Sequence, residues 1–271
     1  MKKKKNNNDL IGKGINWLVI ALAIVLVSTL TFYYLDKKFN HNRDNLKYGK
    51  QAYSYLENYE VHGIDISKHN GELDWKYITK HEINGWPLSF VFIRASVAMA
   101  DGNLEEDRLF RDNWRKSREN AITRGAYHFY SPKVDINEQI RIFKRIVKLR
   151  SGDLPPVLDV ENYDRGNIYI TKKNLPDILK WLKTVHNHFG VAPIIYTSKK
   201  LYQDYFKNNA KFAKYHFWLA NYETEKMNGI ESSEFLFWQH NEEGKIDGHI
   251  CDFDLNVFNG SEKDLEKMCL K

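Results

Sequence analysis

The chain has 271 residues, is 42% hydrophobic and 14% aromatic, and carries a formal net charge of +6. Seven Lys against two Asp in residues 1–38 account for five of those charges, so the remaining 233 residues are near neutral. This excludes a basic nucleic-acid footprint on the folded part. The two cysteines, Cys251 and Cys269, fit no CxxC or Cys/His metal pattern. They are able to pair outside the cytoplasm, and spacing alone does not say whether they do.

Residues 1–14 read as a basic cytoplasmic tail. Ile15 to Leu35 runs 21 residues without a formal charge, long enough to span a bilayer, with Trp17 near one end and Tyr33 and Tyr34 at the other. A cleaved signal peptide has a shorter apolar core and an A-x-A-like site, which is absent here, so the segment is expected to be an uncleaved signal anchor. Basic residues flank both sides equally. The dense charge of the short tail places the N-terminus inside and the large domain outside the cytoplasm, in the periplasm or at the cell surface. Residues 36–60, rich in Asn, Lys and Tyr, read as a stalk, and residues 61–271 as the folded domain, expected to be monomeric.

Within that domain, apolar runs of strand length alternate with helical periodicity. Strands are predicted at VHGIDIS from Val61, Phe90 to Ser96, Arg124 to Tyr130, Leu154 to Glu161, APIIYTS, HFWLANY and Phe235 to His240, with CDFDLNVFNG closing the domain. Helices are predicted at Asp74 to Lys80, Leu104 to Ile122, around Ile136 to Val147, and from Leu175 to Gly190. The order implies parallel strands with helical crossovers, becoming strand-rich after about Tyr215. No G-x-G-x-x-G or P-loop occurs, so the fold class is α/β, a TIM-like barrel rather than a nucleotide-binding sheet.

In such barrels the reactive side chains sit at the C-terminal ends of the strands. Here those ends offer Asp65, Tyr127, the pair Asp159 and Glu161, Tyr196, Trp218, Tyr222, Trp238 and Gln239, with Asp252 and Asp254 in the last segment. Asp159 and Glu161 are two apart on a strand and so share a face, roughly 7 Å apart at their Cα atoms. Adjacent acids raise one another's pKa, an arrangement that glycoside hydrolysis needs and a strand does not. The bland alternative is a solvated strand end. Four carboxylates on one rim suggest a divalent cation as a further alternative, but no H-E-x-x-H or His cluster accompanies them, and neither metal nor cofactor is expected.

The motifs GIDIS (Gly63 to Ser67), RGAYHFY (Arg124 to Tyr130), PPVLDVE (Pro155 to Glu161), IIYTS, FWLANY, FWQH and DLNVFNG (Asp254 to Gly260) together resemble glycoside hydrolase family 25, the Chalaropsis-type lysozymes or N-acetylmuramidases. The resemblance implies a modified barrel with partly antiparallel last strands, and hydrolysis of the β-1,4 bond between N-acetylmuramic acid and N-acetylglucosamine in peptidoglycan. It implies Glu161 as proton donor, Asp159 as nucleophile or as orienter of the substrate's N-acetyl group, and Asp65 and Asp254 as accompanying acids. Tyr127, Tyr196, Trp218, Tyr222, Trp238, Gln239 and Arg94 are then expected to contact glycan. Two segments depart from the family's usual residues: Ser67-Lys68-His69-Asn70-Gly71 lacks an aromatic, and Arg94-Ala95-Ser96-Val97-Ala98 replaces Lys-Ala-Thr-Glu-Gly. A chitinase-like hexosaminidase and a catalytically silent glycan-binding module are the competing readings. The prolines before Asp159 disfavour the first, and the intact acid pair disfavours the second.

Overall fold

The computed structural model describes residues 28–31, 54–80, 82, 86–223, 226–246 and 252–271. Nine strands form one sheet: β1 (Val61–Ile66), β2 (Leu88–Ala98), β3 (Leu104–Glu106), β4 (Thr123–Phe129), β5 (Val157–Asp159), β6 (Ile194–Ser198), β7 (His216–Ala220), β8 (Phe237–Gly244) and β9 (Phe253–Phe258). Their order is β1-β9-β8-β7-β6-β5-β4-β2-β3, and β1 also pairs with β2. Eight strands therefore close into a barrel, with β3 attached to β2 outside the ring. Six of the ring's eight pairings are parallel, and β9 is antiparallel to both β8 and β1. A parallel return needs a dozen or more connecting residues, and only eight separate β8 from β9.

Helices α1 (Trp75–Ile78), α2 (Phe110–Glu119), α3 (Ile136–Ile146), α4 (Leu175–Phe189), α5 (Lys199–Leu201) and α6 (Glu262–Met268) connect or follow the strands. The segment Leu104 to Ile122, expected as one helix, divides. β2 is eleven residues long and folds back through Gly102, at φ +91°, to pair with β3 before α2 begins. Asp107 makes the break: its backbone N–H donates to Ala95 and its side chain accepts from the N–H of Leu109.

Strand alternation separates two apolar layers. Val91, Ile93, Leu158, Ile195, Leu219, Trp238 and Val257 face the helices, joining Phe143, Trp181 and Leu182. Phe90, Phe92, Val157, Ile194, Trp218, Phe237 and Phe258 fill the barrel. The rings interlock, with Phe92 stacked on Trp218 at 4.5 Å and Phe237 at 5.1 Å from both Phe90 and Phe92. Glycine makes room for them. A Cβ at Gly63 would lie 2.5 Å from the Phe90 ring, and one at Gly125 would lie 2.4 Å from Phe92. The barrel is thus a plugged floor under an open rim.

Tyr53 to Lys271 forms one compact unit. The end of the expected stalk belongs to it: Leu56 is buried, and the rings of Tyr55 and Tyr59 lie 5.8 and 5.9 Å from that of Trp238. The expected tail, and the expected anchor apart from a helical turn at 28–31, lie outside the described residues, as does the stalk up to residue 53. Among the described residues no helix is long and apolar enough to cross a membrane. Cys251 also lies outside them, while the Cys269 thiol donates to the Leu265 carbonyl.

Candidate active site

Each acid reaches the rim by strand parity. On β1, Gly63 and Asp65 face inward while Ile64 and Ile66 join the outer layer. On β5, Val157 and Asp159 face inward. Beyond β5 the chain stays extended: the Val160 N–H donates to the Tyr196 carbonyl at 2.9 Å, and Val160 is buried in the outer layer. Glu161 is therefore returned to the side of Asp159. Because β9 runs antiparallel, its beginning rather than its end lies at this rim, and Asp254 is the register partner of Asp65. All four carboxylates line one open cleft of about 890 Å³, together with Arg94, Tyr127, Tyr196, Trp218, Tyr222 and Gln239.

A hydrogen-bond network fixes Asp65. Its Oδ2 accepts from Gln239 Nε2 at 2.7 Å and Asn256 Nδ2 at 2.8 Å. Gln239 is oriented by the hydroxyls of Tyr196, at 2.7 Å, and Tyr222, which both donate to its Oε1. Asn256 accepts from the Trp218 indole at 2.8 Å. Asp254 completes the set by hydrogen bonding to Asp65.

Removal from water raises every carboxyl here, and neighbouring acids add to the effect on Asp254, Glu161 and Asp159. Burial raises Asp65 to about 6, despite the hydrogen bonds from Asn256 and Gln239 that favour its charged form. Burial and the charge of Asp65 push Asp254 up to about 9, so Asp254 keeps its proton and shares it with Asp65 at neutral pH. Burial, then Asp65 and Glu242, bring Glu161 to about 7. Burial and Glu161 hold Asp159 well above the usual carboxylate range, opposed by Arg94. A half-buried carboxyl poised near 7, open to a cleft, is suited to give and take a proton.

Of the aromatic side chains expected to contact glycan, Tyr222 is 43% exposed, whereas Tyr127, Tyr196 and Trp218 line the cleft but are largely buried. Trp238 does not reach it. Adjacent strand residues face opposite ways, so with Gln239 inward Trp238 points outward, where it is 1% exposed and its indole donates to the Asn221 carbonyl at 3.0 Å. Its expected place among the glycan contacts is therefore corrected to outer-layer packing.

Glu242, Tyr163 and Arg165 also line the cleft, and the sequence reading missed them. The β8–β9 register shifts after Gln239, so the bulge breaks the period that would have located Glu242. Tyr163 and Arg165 come from the loop after β5. Asn256, two residues beyond Asp254 and on the same face, was legible by parity. Among the described residues, no cluster of His, Cys, Asp and Glu is arranged to hold a metal ion.

A closed barrel with four carboxyls at the rim of an open groove is an arrangement that glycoside hydrolases use. The model of the glycosyl hydrolases family 25 matches residues 64–249, and the chain belongs to that family. The uncharacterized protein YegX of Escherichia coli O6:H1 is 34% identical over 253 residues, covering 92% of this chain and 89% of its own length. Two solved structures superpose with a TM-score of 0.67. A family 25 glycosyl hydrolase from Bacillus anthracis is 27% identical, covering 79% of this chain and 95% of its own. The bacterial lysozyme from Streptomyces coelicolor is 26% identical, covering 79% and 98%. The protein is a glycoside hydrolase of the lysozyme type.

Proposed function

We propose that the chain cleaves the β-1,4 bond between N-acetylmuramic acid and N-acetylglucosamine in peptidoglycan. Glu161 gives its proton to the leaving glycosidic oxygen and then, as the base, activates water. Asp159, deeper in the rim with Oδ1 enclosed, orients the substrate's N-acetyl group to attack the anomeric carbon. Asp65, whose carboxylate accepts the proton held by Asp254, supplies negative charge near the developing oxocarbenium ion. The observation that carries this reading is the convergence of Glu161, Asp159, Asp65 and Asp254 on one open cleft at the rim of the barrel. The lysozyme-type relatives favour peptidoglycan over chitin. The test is Glu161→Gln on purified sacculi. Release of muramic-acid reducing ends should fall at least about a hundredfold with the melting temperature kept. Wild-type release, or release of chitooligosaccharides from chitin at a comparable rate, would refute the reading.

Such a substrate lies outside the cytoplasm, and the uncharged stretch 15–35 supports a single-pass anchor with the N-terminus inside. The full chain should sediment with membranes and expose its barrel to added protease, and a chain lacking residues 1–35 should not sediment. Sedimentation of both forms would remove the anchor from the reading.

A further inference from the structure

Arg94 lies on β2, in register with Tyr127 on β4. Its Nε donates to Asp107 Oδ2 at 2.9 Å. Asp107 is 2% exposed and also accepts the backbone N–H groups of Lys68, at 2.9 Å, and Leu109, at 3.0 Å. One buried carboxylate thus ties together the chain after β1, the end of β2 and the start of α2. The two segments that depart from the family's usual residues, at Lys68 and at Arg94, meet on it.

The clamp uses one edge of the guanidinium. Arg94 Nη2 is buried and has no hydrogen-bond partner, and the same is true of Asp159 Oδ1, although both residues line the same cleft. An idle buried polar group costs about 1–3 kcal/mol, and more if charged. The charged groups acting on Asp159 are Glu161, Asp65 and Asp254, which drive it towards its neutral form, and Arg94, which opposes them. Arg94 acts in the same direction on Asp65.

We propose that Arg94, clamped by Asp107, is a positioning residue that opposes the neighbouring acids and favours the anionic form of Asp159 while Glu161 carries the proton. Its place in the sequence suggested a glycan contact. Its idle Nη2 and the idle Oδ1 of Asp159 share one cleft, which suits it to act on the acid that orients the substrate. The inference rests on the roles proposed for Asp159 and Glu161. Without the cation, Asp159 takes up a proton at higher pH, and the acid limb of activity, which needs Asp159 ionised, moves upward.

The experiment compares the full chain with Arg94→Met, Arg94→Lys, Asp107→Asn and Glu161→Gln. Initial rates on purified sacculi are measured from pH 4 to 9, and thermal unfolding is followed in parallel. Arg94→Met should shift the acid limb upward by about one pH unit and reduce the rate below pH 6 by about tenfold, the same shift expressed as a rate. Arg94→Lys should restore most of the limb, and Asp107→Asn should move it the same way by less. A limb unmoved in Arg94→Met, with more sacculi needed for half-maximal rate, would make Arg94 a substrate contact and overturn the proposal. If Arg94→Met fails to fold, unmoved limbs in both Arg94→Lys and Asp107→Asn would overturn it. Activity in Glu161→Gln would remove the proton-donor assignment while leaving the limb shift to report on Asp159.

Discussion

The floor and the rim of the barrel are built from the same strands, a few residues apart, and obey opposite rules. On the floor, Phe90, Phe92, Phe237 and Phe258 interlock over Gly63 and Gly125, with no charge among them. At the rim, Asp65, Asp159, Glu161 and Asp254 crowd together, and buried polar atoms of Arg94 and Asp159 lack partners. Apolar packing gains free energy from burial, whereas burying like charges costs it. The floor therefore supplies stability that the rim consumes. The rim carboxyls are raised by the same desolvation that makes them costly.

The largest effect that separates the regions should come from the floor. Phe92→Ala removes a ring held between Phe90, Trp218 and Phe237, and should cost about 3–5 kcal/mol in denaturant unfolding. Whatever fraction stays folded should keep a wild-type pH profile, because the Phe92 ring packs on Phe90, Trp218 and Phe237 rather than on a carboxyl. A moved profile would show that floor and rim are not separable.

A smaller effect of opposite sign is expected at the rim. Asp254 holds its proton to about pH 9 when folded, whereas an unfolded aspartate loses it near pH 4. Between those values the folded chain binds more protons than the unfolded one, so this group's contribution to stability declines as pH rises. Asp254→Asn imitates the protonated acid and can still donate to Asp65. Its stability advantage over the wild type should be small near pH 4 and grow towards pH 9, while activity falls. Parallel stability curves for the two proteins across that range would show that Asp254 does not titrate as the geometry requires.

Much of this arrangement is legible in the chain. The alternation of apolar runs implies a barrel, and parity puts Asp159 and Glu161 on one side, where backbone pairing of Val160 keeps them. Trp238 shows the same rule neglected: beside an inward Gln239 it has to face outward, and its packing against Tyr55 and Tyr59 follows. Asn256 was within reach for the same reason. Glu242 was not, since a bulge in β8 has no periodic signature.

What the sequence determined by itself is whatever depends on neighbours along the chain: strand faces, glycines under aromatic rings, and the acid pair after Pro156. What only the tertiary structure decided depends on chain direction and on contacts between distant residues. The antiparallel course of β9 brings Asp254 to Asp65 across 189 positions of sequence. Asp107 joins Lys68 to Arg94 because β2 overruns the barrel and turns back on itself. Local preference sets which way a side chain points, and closure of the ring sets which side chains it meets.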